Sequence, residues 1–283
     1  MGCDRQPQGV PHPHADVVVP LLPSPPTRVL EIGCGPEGGF VPTLLARGDD
    51  AVGVDPNAPD GPAYHRVPLE DLDDPGPLDA VVASVSLHHV ADLAVVLDRV
   101  AGWLAPAGTL VVLEWSWERF DTTAATWCFD RLPEAPTPDA PDHGHDQGGR
   151  RDHGHWDHGH RDHGDKGHGS DAHGHHDHGH DHDHGDGGPP EPGAWLRRHR
   201  DGWRASGLAW DDYLRSWAET GGLHRGSTIL AALDERFRRD HLVTVPYFFP
   251  DLPGTTAADE QAALDAGRIP GSAFLFRGRS RPI

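Results

Sequence analysis

The chain has 283 residues and a formal net charge of −20, since 44 Asp+Glu stand against 24 Lys+Arg. No basic stripe offsets this acidity, so we do not expect a nucleic acid as partner. No apolar run approaches the roughly 18–20 residues of a membrane-spanning helix, and no membrane association is expected. The cysteines Cys3, Cys34 and Cys128 contain no CxxC pair. This disfavours a disulfide framework and predicts a reducing, cytoplasmic location.

Histidine and aspartate dominate residues 142–188, which hold 15 of the 23 histidines and 11 aspartates. This composition offers too little apolar surface to fold alone, so we predict a disordered insertion over 142–193. Imidazole and carboxylate groups together suit Zn²⁺ or Ni²⁺, and the irregular DHGH-like units predict diffuse binding. The candidate metal ligands are His153, His155, His158, His160, His173, His175, His176, His178, His180, His182 and His184. The alternative is a low-complexity loop that has no biological metal role.

The rest of the chain is long enough for one sizeable domain. Its predicted parts are a Pro-rich segment that wraps the surface (1–26), an α/β core (27–118), a helix with a Pro-rich linker (119–141) and, after the insertion, a helical cap with final strands (194–283). Apolar runs predict core strands over 28–32, 51–55, 65–67, 78–84 and 109–114. The cap is predicted to hold helices near 195–203, 210–217 and 229–237 and strands over 242–249 and 273–276.

Helical patterns alternate with the core strands. One helix begins near Phe40 and stops at Gly48, and another follows Asp92. Strands that are apolar throughout and alternate with helices predict a doubly wound, mostly parallel sheet covered on both faces. Such sheets bind ligands at the carboxyl ends of their strands.

A glycine-rich turn after the first strand carries the clearest functional signal. Gly33, Gly35 and Gly38 fit the pattern G-x-G-x-x-G, and Asp55 lies at the end of the second strand. Glycines there allow a tight turn and close approach of a ligand, and the acid can accept hydrogen bonds from a ribose diol. A turn without a ligand, and an Asp55 that only caps a turn, are the alternatives.

The charges beside the turn distinguish two ligand classes. Glu31 and Glu37 flank the turn, and both would repel the pyrophosphate of a dinucleotide. S-adenosylmethionine has no phosphate, but it has a ribose diol, an ammonium and a sulfonium, so a carboxylate would favour it. Glu31 can alternatively be a structural acid that binds backbone groups.

The runs VLEIGCGPEGG, VGVD, LDAVVASVSLHHV and LAPAGTLVVLEW resemble, in this order, class I S-adenosylmethionine-dependent methyltransferases of the small-molecule subgroup. The resemblance implies a Rossmann-like fold with a strand pair at its far edge. The residues that it places around the donor are Glu31, Gly33 and Gly35 at the methionine side, Asp55 at the ribose, Leu69, Glu70 and Asp71 near the adenine, and Ser84 after the fourth strand. Only about ten residues separate Asp55 from the third strand, so the helix usual there is predicted to be missing or reduced to a turn.

Candidates for the acceptor side follow the fourth and fifth strands. His88 and His89 can take a proton from a hydroxyl or amine, or can pack structurally against the next helix. Methyl transfer from a sulfonium can also proceed through positioning and desolvation alone. Five aromatic residues can line an acceptor pocket or be ordinary packing: Trp115, Trp117, Tyr247, Phe248 and Phe249.

We therefore predict a cytoplasmic S-adenosylmethionine-dependent methyltransferase with a small-molecule acceptor that the sequence does not identify. A metal-handling buffer or sensor on a methyltransferase-like scaffold is the alternative, and an NAD-dependent oxidoreductase is a third, less favoured one. The sequence leaves the oligomeric state open.

Overall fold

The computed structural model of the protein describes residues 11–133 and 191–280. The eleven candidate metal ligands between His153 and His184 lie outside these residues, so metal binding by them stays a prediction. Within the two described ranges, no group of three or more His, Cys, Asp or Glu side chains has an arrangement that can hold a metal ion. Across the same ranges, no helix combines the length and apolar character needed to span a bilayer.

A seven-stranded sheet forms the centre of the described fold. Its strands are β1 (Arg28–Ile32), β2 (Asp50–Val54), β3 (Tyr64–His65), β4 (Leu78–Ser84), β5 (Leu104–Trp115), β6 (Phe237–Thr244) and β7 (Ala273–Ser280). Their order is β3-β2-β1-β4-β5-β7-β6. The strands from β3 to β5 run parallel, whereas β7 is antiparallel to both β5 and β6. This confirms the predicted Rossmann-like, mostly parallel sheet, whose topological switch point lies between β1 and β4.

Helices cover the sheet and form the cap. They are α1 (Ala15–Val18), α2 (Val41–Arg47), α3 (Leu93–Trp103), α4 (Thr122–Phe129), α5 (Ala194–Ser206), α6 (Trp210–Thr220), α7 (Gly226–Arg236) and α8 (Ala257–Asp265). Two of their ends use the predicted residues. Asp92 accepts a hydrogen bond from the Val95 N–H at 3.0 Å before α3, and Gly48 ends α2 with φ +96°.

Alternating side chains of the sheet pack into two separate layers. In β4, Val81 and Ala83 join the cluster that contains α3 and α7 residues, while Ala80 and Val82 join the cluster on the α2 side. A third apolar cluster connects the end of β5 to α4, α5 and α6. The cap therefore packs beside the carboxyl end of β5, next to the predicted ligand-binding edge.

The C-terminal part differs from the predicted pattern. Strand β6 occupies 237–244 instead of 242–249, because Phe237 is fully buried in the core and the chain enters the sheet directly after α7. Residues beyond β6 leave the sheet, where Glu260 of α8 accepts hydrogen bonds from the Tyr247 and Phe249 N–H groups at 2.7 and 2.8 Å. Helix α8 itself was not predicted.

Two shorter segments also bear on the site. The N-terminal segment does more than wrap the surface, because Val18 and Leu22 are buried in the same cluster as α2. Between β2 and the two-residue β3, the chain forms turns and bends with no helix, as the short spacing after Asp55 predicts.

Candidate active site

The glycine-rich turn lies at the carboxyl end of β1. A Cβ atom on Gly33 would stand 2.4 Å from Ser86 Cβ, and one on Gly38 would stand 2.5 Å from Tyr64 Oη. Gly33 is therefore needed for close packing on the segment after β4, whereas the atom that faces Gly38 is the end of the Tyr64 side chain. Gly35 also has a positive φ of +60°, but no described atom lies within 4 Å of its Cβ position. The turn thus leaves open space at Gly35, the glycine that a ligand can approach.

Glu31 is buried beneath this turn and uses only one of its carboxylate oxygens. Oε2 accepts hydrogen bonds from the Phe40 and Val41 N–H groups at 2.7 and 3.1 Å, at the start of α2. Oε1 is buried and has no hydrogen-bond partner among the described residues. Burial raises the Glu31 pKa to about 8, and the charge of Asp55 adds a smaller increase. The two hydrogen bonds from the backbone lower the pKa but do not offset the effect of burial. The structural alternative thus accounts for Oε2, whereas Oε1 has no hydrogen-bond partner among the described residues.

Gly39 makes room for this carboxylate and was not among the predicted residues. Its φ is +54°, and a Cβ atom there would stand 2.2 Å from Glu31 Oε1. The sequence contained one signal for Gly39: a second glycine follows Gly38, which the G-x-G-x-x-G pattern does not require.

Asp55 follows β2, as predicted, on the same side of the sheet as the turn. Its N–H donates to the His65 carbonyl at 3.2 Å, and its Oδ1 accepts from the Asn57 N–H at 2.7 Å. These bonds fix the turn after β2 while the residue remains partly exposed. Asp55 therefore caps the turn through Oδ1, and its carboxylate is still partly exposed to a ligand.

The predicted adenine-side residues form one 3₁₀ turn, Leu69–Asp71. Leu69 is buried in the core, whereas Glu70 and Asp71 are exposed. Arg99 of α3 donates to the carbonyls of Glu70 and Leu72 and so fixes this turn. Of these three predicted residues, only Glu70 and Asp71 therefore present side chains to solvent or a ligand.

The end of β4 contains a strained residue beside the turn. Ser84, for which the resemblance implies a place beside the donor, is the last residue of β4 and is buried; its role stays a prediction. Val85 has φ +48° and is the one non-glycine residue with positive φ in the described ranges. A β-branched residue adopts this conformation only when its surroundings enforce it. Here the Val85 N–H donates to the Leu113 carbonyl at 2.8 Å, and Ser86 Oγ donates to the Ile32 carbonyl at 3.1 Å.

His88 forms a buried pair with Glu114, the penultimate residue of β5. His88 Nδ1 and Glu114 Oε1 are 2.6 Å apart, and the other oxygen of Glu114 accepts from the Leu87 N–H at 2.9 Å. With the carboxylate ionised, Nδ1 carries the proton, so Nε2 is the ring nitrogen that can accept one. His89 is exposed, with its ring centroid 4.0 Å from that of His88. Glu114 was missed, although a single acid in the apolar run TLVVLEW was a signal.

Comparison with known proteins now identifies the family. Residues 10–164, more than half of the chain, match the methyltransferase domain family. The chain belongs to this family. The methyltransferase is 32% identical over 108 residues to a ubiquinone biosynthesis O-methyltransferase of Nitrobacter winogradskyi, a match that covers 33% of this chain and 41% of that protein. It is 33% identical over 112 residues to an uncharacterized methyltransferase of Mycobacterium bovis, covering 35% and 54% of the two chains. The chain thus spans about two fifths of the length of the first curated relatives.

Solved structures resemble the methyltransferase at lower identity. An S-adenosylmethionine-dependent methyltransferase from Mesorhizobium loti is 18% identical, with coverage of 94% of this chain and 97% of that chain and a TM-score of 0.47. The N-methyltransferase NodS from Bradyrhizobium japonicum, in complex with S-adenosylhomocysteine, is 14% identical, with coverage of 95% and 86% and a TM-score of 0.42.

The predicted aromatic residues of the methyltransferase occupy different environments. Trp115 and Tyr247 have nearly parallel rings, 6.4 Å apart at an angle of 9°. The Trp117 indole N–H donates to the His224 carbonyl at 3.1 Å, and Phe248 packs on Phe120 within the cap core. The sequence did not single out Trp195, His199 and Trp217 of the cap, which contact Trp115 or one another.

Two histidines of the N-terminal segment were also missed. The His12 ring stacks on Phe40, beside the glycine turn, at 3.8 Å. The His14 ring lies 6.2 Å from Tyr247 and 5.2 Å from Phe249. Burial lowers the pKa of His12 to about 3, with a further effect of His14, and lowers the pKa of His14 to about 4. This segment therefore contacts both Phe40, beside the glycine turn, and the aromatic residues after β6.

Proposed function

We propose that the protein uses S-adenosylmethionine to methylate an oxygen of a small-molecule acceptor. The observation that carries the proposal is the buried Oε1 of Glu31, which lies against Gly39 of the glycine turn and has no hydrogen-bond partner among the described residues. A buried carboxylate oxygen without a partner is costly, and an ammonium group would satisfy it. A pyrophosphate would not. The oxygen acceptor is supported by curated relatives such as the ubiquinone biosynthesis O-methyltransferase of Nitrobacter winogradskyi.

The residues around the switch point fit this donor. Glu31 and the turn would hold its methionine end, Asp55 would accept from the ribose diol, and Glu70 and Asp71 would lie at the adenine side. Bound there, S-adenosylmethionine supplies an electrophilic methyl group, whose transfer to a hydroxyl forms a C–O bond, leaves the C–S electron pair on sulfur and releases the hydroxyl proton.

His88 is the group we assign to that proton. Glu114 holds the Nδ1 proton of His88 and leaves Nε2 as the acceptor. The His224 N–H donates to the His88 carbonyl at 2.9 Å, and His224 Nε2 lies 2.9 Å from the Val90 carbonyl, which fixes the segment around His88. His89 is exposed beside it and remains a predicted candidate.

The decisive test is calorimetric titration of the full chain with S-adenosylmethionine and with NAD⁺. We expect NAD⁺ to bind at least tenfold more weakly. Asp55→Ala should weaken donor binding by roughly 10–150-fold, the effect of losing a charged hydrogen bond of about 1.5–3 kcal/mol. Asp50→Ala is the matched control, because Asp50 is exposed at the opposite end of the same strand. NAD⁺ binding as tight as donor binding would overturn the proposal.

A further inference from the structure

Four rings meet where the cap packs on the end of β5. Trp115 lies 5.7 Å from Trp195 and 6.2 Å from Trp217. His199 lies 5.8 Å from Trp195 and 4.5 Å from Trp217. We call these four residues the tryptophan–histidine cluster. One strand and two cap helices contribute to it, so only the folded chain assembles it.

Two polar atoms of this cluster are buried without a partner. Neither Trp115 Nε1 nor His199 Nδ1 has a hydrogen-bond partner within residues 11–133 and 191–280. Other indole N–H groups nearby are satisfied by carbonyl or carboxylate oxygens, namely those of Trp117, Trp195, Trp203 and Trp210. Buried polar groups are almost always hydrogen-bonded, so two exceptions in one cluster indicate a ligand that supplies the missing partners.

The surrounding structure holds the cluster in place. Asp251 accepts from the Trp195 indole N–H at 2.8 Å and from the Gly193 N–H at 2.9 Å. Trp217 is 36% exposed, so it is the ring that an entering molecule can displace. The Trp195 ring is therefore held in place before a ligand binds, which lowers the entropic cost of binding.

The cluster adjoins the residues assigned to proton transfer. The backbone N–H of Trp115 donates to Glu114 Oε1 at 2.8 Å, the same oxygen that binds His88. The Trp115 ring lies 6.0 Å from the His88 ring, edge to face. A molecule held by the Trp115 side chain thus lies beside the His88–Glu114 pair.

We propose that Trp115 and His199 determine acceptor specificity, by binding a hydroxylated aromatic compound among the rings of the cluster. This inference rests on the proposed methyltransferase function. The indole N–H is a donor only, so it requires an oxygen on the acceptor. His199 Nδ1 can accept the proton of a hydroxyl group, since burial lowers the His199 pKa to about 4 and keeps the ring neutral at physiological pH. The rings supply stacking and edge contacts to the aromatic body.

Three small probes separate these contacts in a ligand-observed NMR titration of the full chain saturated with S-adenosylhomocysteine. Phenol can make both bonds, anisole only the bond from Trp115, and toluene neither. We expect phenol to bind more tightly than anisole, and anisole more tightly than toluene, each by about 2–10-fold. Burial of apolar area alone would give the opposite order. Toluene binding as tightly as phenol would therefore overturn the proposal.

Matched variants test which atom produces each difference in affinity between the probes. Trp115→Phe should remove the preference for anisole over toluene, and His199→Phe the preference for phenol over anisole. Trp203→Phe should leave both ratios unchanged, since the Trp203 N–H is already bonded to the Leu208 carbonyl at 2.9 Å. Unchanged ratios in the first two variants would contradict the assignment.

Thermal unfolding provides a readout that is independent of binding. Both Trp115→Phe and Trp210→Phe lose buried ring volume, which lowers Tm. Trp210→Phe should lower Tm further, because it also deprives the Phe120 carbonyl of a donor at 2.6 Å, whereas the Trp115 indole N–H has no partner to leave behind. An equal loss in both variants would show a structural role for the Trp115 indole N–H.

Titration with the methyl donor keeps the two proposals separate. If S-adenosylmethionine fails to bind, the proposed function fails. If it binds but the three probes do not bind in the expected order, only the specificity assignment fails.

Discussion

The two carboxylate oxygens of Glu31 have opposite effects on the stability of the fold. Its Oε2 satisfies two N–H groups at the start of α2, which otherwise have no partner within the helix. Its Oε1 remains unsatisfied, and burial raises the Glu31 pKa to about 8 because it disfavours the charged form. Functional sites commonly retain such costs, because a ligand recovers them on binding. Gly39 is the residue that makes this arrangement sterically possible.

Substitution of Gly39 tests the packing around this carboxylate. In Gly39→Ala the new Cβ would stand 2.2 Å from Glu31 Oε1, so overpacking of about 1–3 kcal/mol should add to a left-handed backbone penalty of about 1–2 kcal/mol. Gly35→Ala is the control, since it has the same backbone penalty but no described atom within 4 Å. We expect urea unfolding to show the larger loss for Gly39→Ala. Equal losses would mean that the carboxylate moves aside freely.

At the scale of elements, the N-terminal segment connects both halves of the candidate site. Val18 and Leu22 anchor it in the core cluster that contains α2. His12 and His14 then contact Phe40 on one side and the aromatic residues after β6 on the other. Because the pKa values of both histidines are lowered in the folded chain, the attachment of this segment should depend on pH.

His14→Phe tests this dependence while retaining a ring of similar shape. The folded-state pKa of His14, about 4, lies below its ordinary value of 6.5. Between these two pH values the unfolded chain therefore binds a proton at His14 and the folded chain does not. Wild-type stability should therefore fall as pH decreases from about 6.5 to about 4, with His14 contributing up to about 1.4 kcal/mol per pH unit. Urea unfolding at pH 7 and pH 5 should show a smaller fall in the variant. Parallel falls would exclude His14 as a source.

At the scale of the whole molecule, the described residues on either side of the histidine-rich tract lie against one another. A Cβ on Gly193 would stand 2.9 Å from Leu132 Cδ2. The Arg200 guanidinium donates to the Pro133 carbonyl at 3.4 Å. A short connection can therefore join the two ranges without rearranging the cap.

Replacement of residues 142–188 by a short Gly/Ser linker tests whether the tract is coupled to the site. We expect unchanged Tm and donor affinity, since loop-closure entropy depends only weakly on length. Binding of Zn²⁺ and Ni²⁺ should be largely lost, because the eight other histidines are scattered along the sequence. In the intact protein, metal binding should weaken between about pH 7 and pH 5 as imidazoles protonate.

The opposite results would favour the metal-sensor alternative. Loss of donor binding on deletion, or a severalfold change in donor affinity when Zn²⁺ is added to the intact chain, would show coupling between the tract and the site. Calorimetric titration of the donor with and without Zn²⁺ measures this directly.

The sequence by itself determined the elements whose signals are local. Strands β1 and β4 have the predicted bounds, Gly48 and Asp92 end or begin their helices as expected, and the glycine turn and Asp55 follow β1 and β2 as predicted. Apolar periodicity, capping and turn chemistry involve residues only a few positions apart, so a single sequence contains them in full. The family resemblance extends over the same part of the chain.

Only the tertiary structure decided which buried groups meet across long separations. Glu114 and His88 are 26 residues apart, and Asp251 holds Trp195 from 56 residues away. Strand β6 starts at Phe237 because that ring completes the core, which no local pattern specifies. The unpartnered atoms of Glu31, Trp115 and His199 become visible only when every neighbour is in place, because a missing partner is a property of the packed interior.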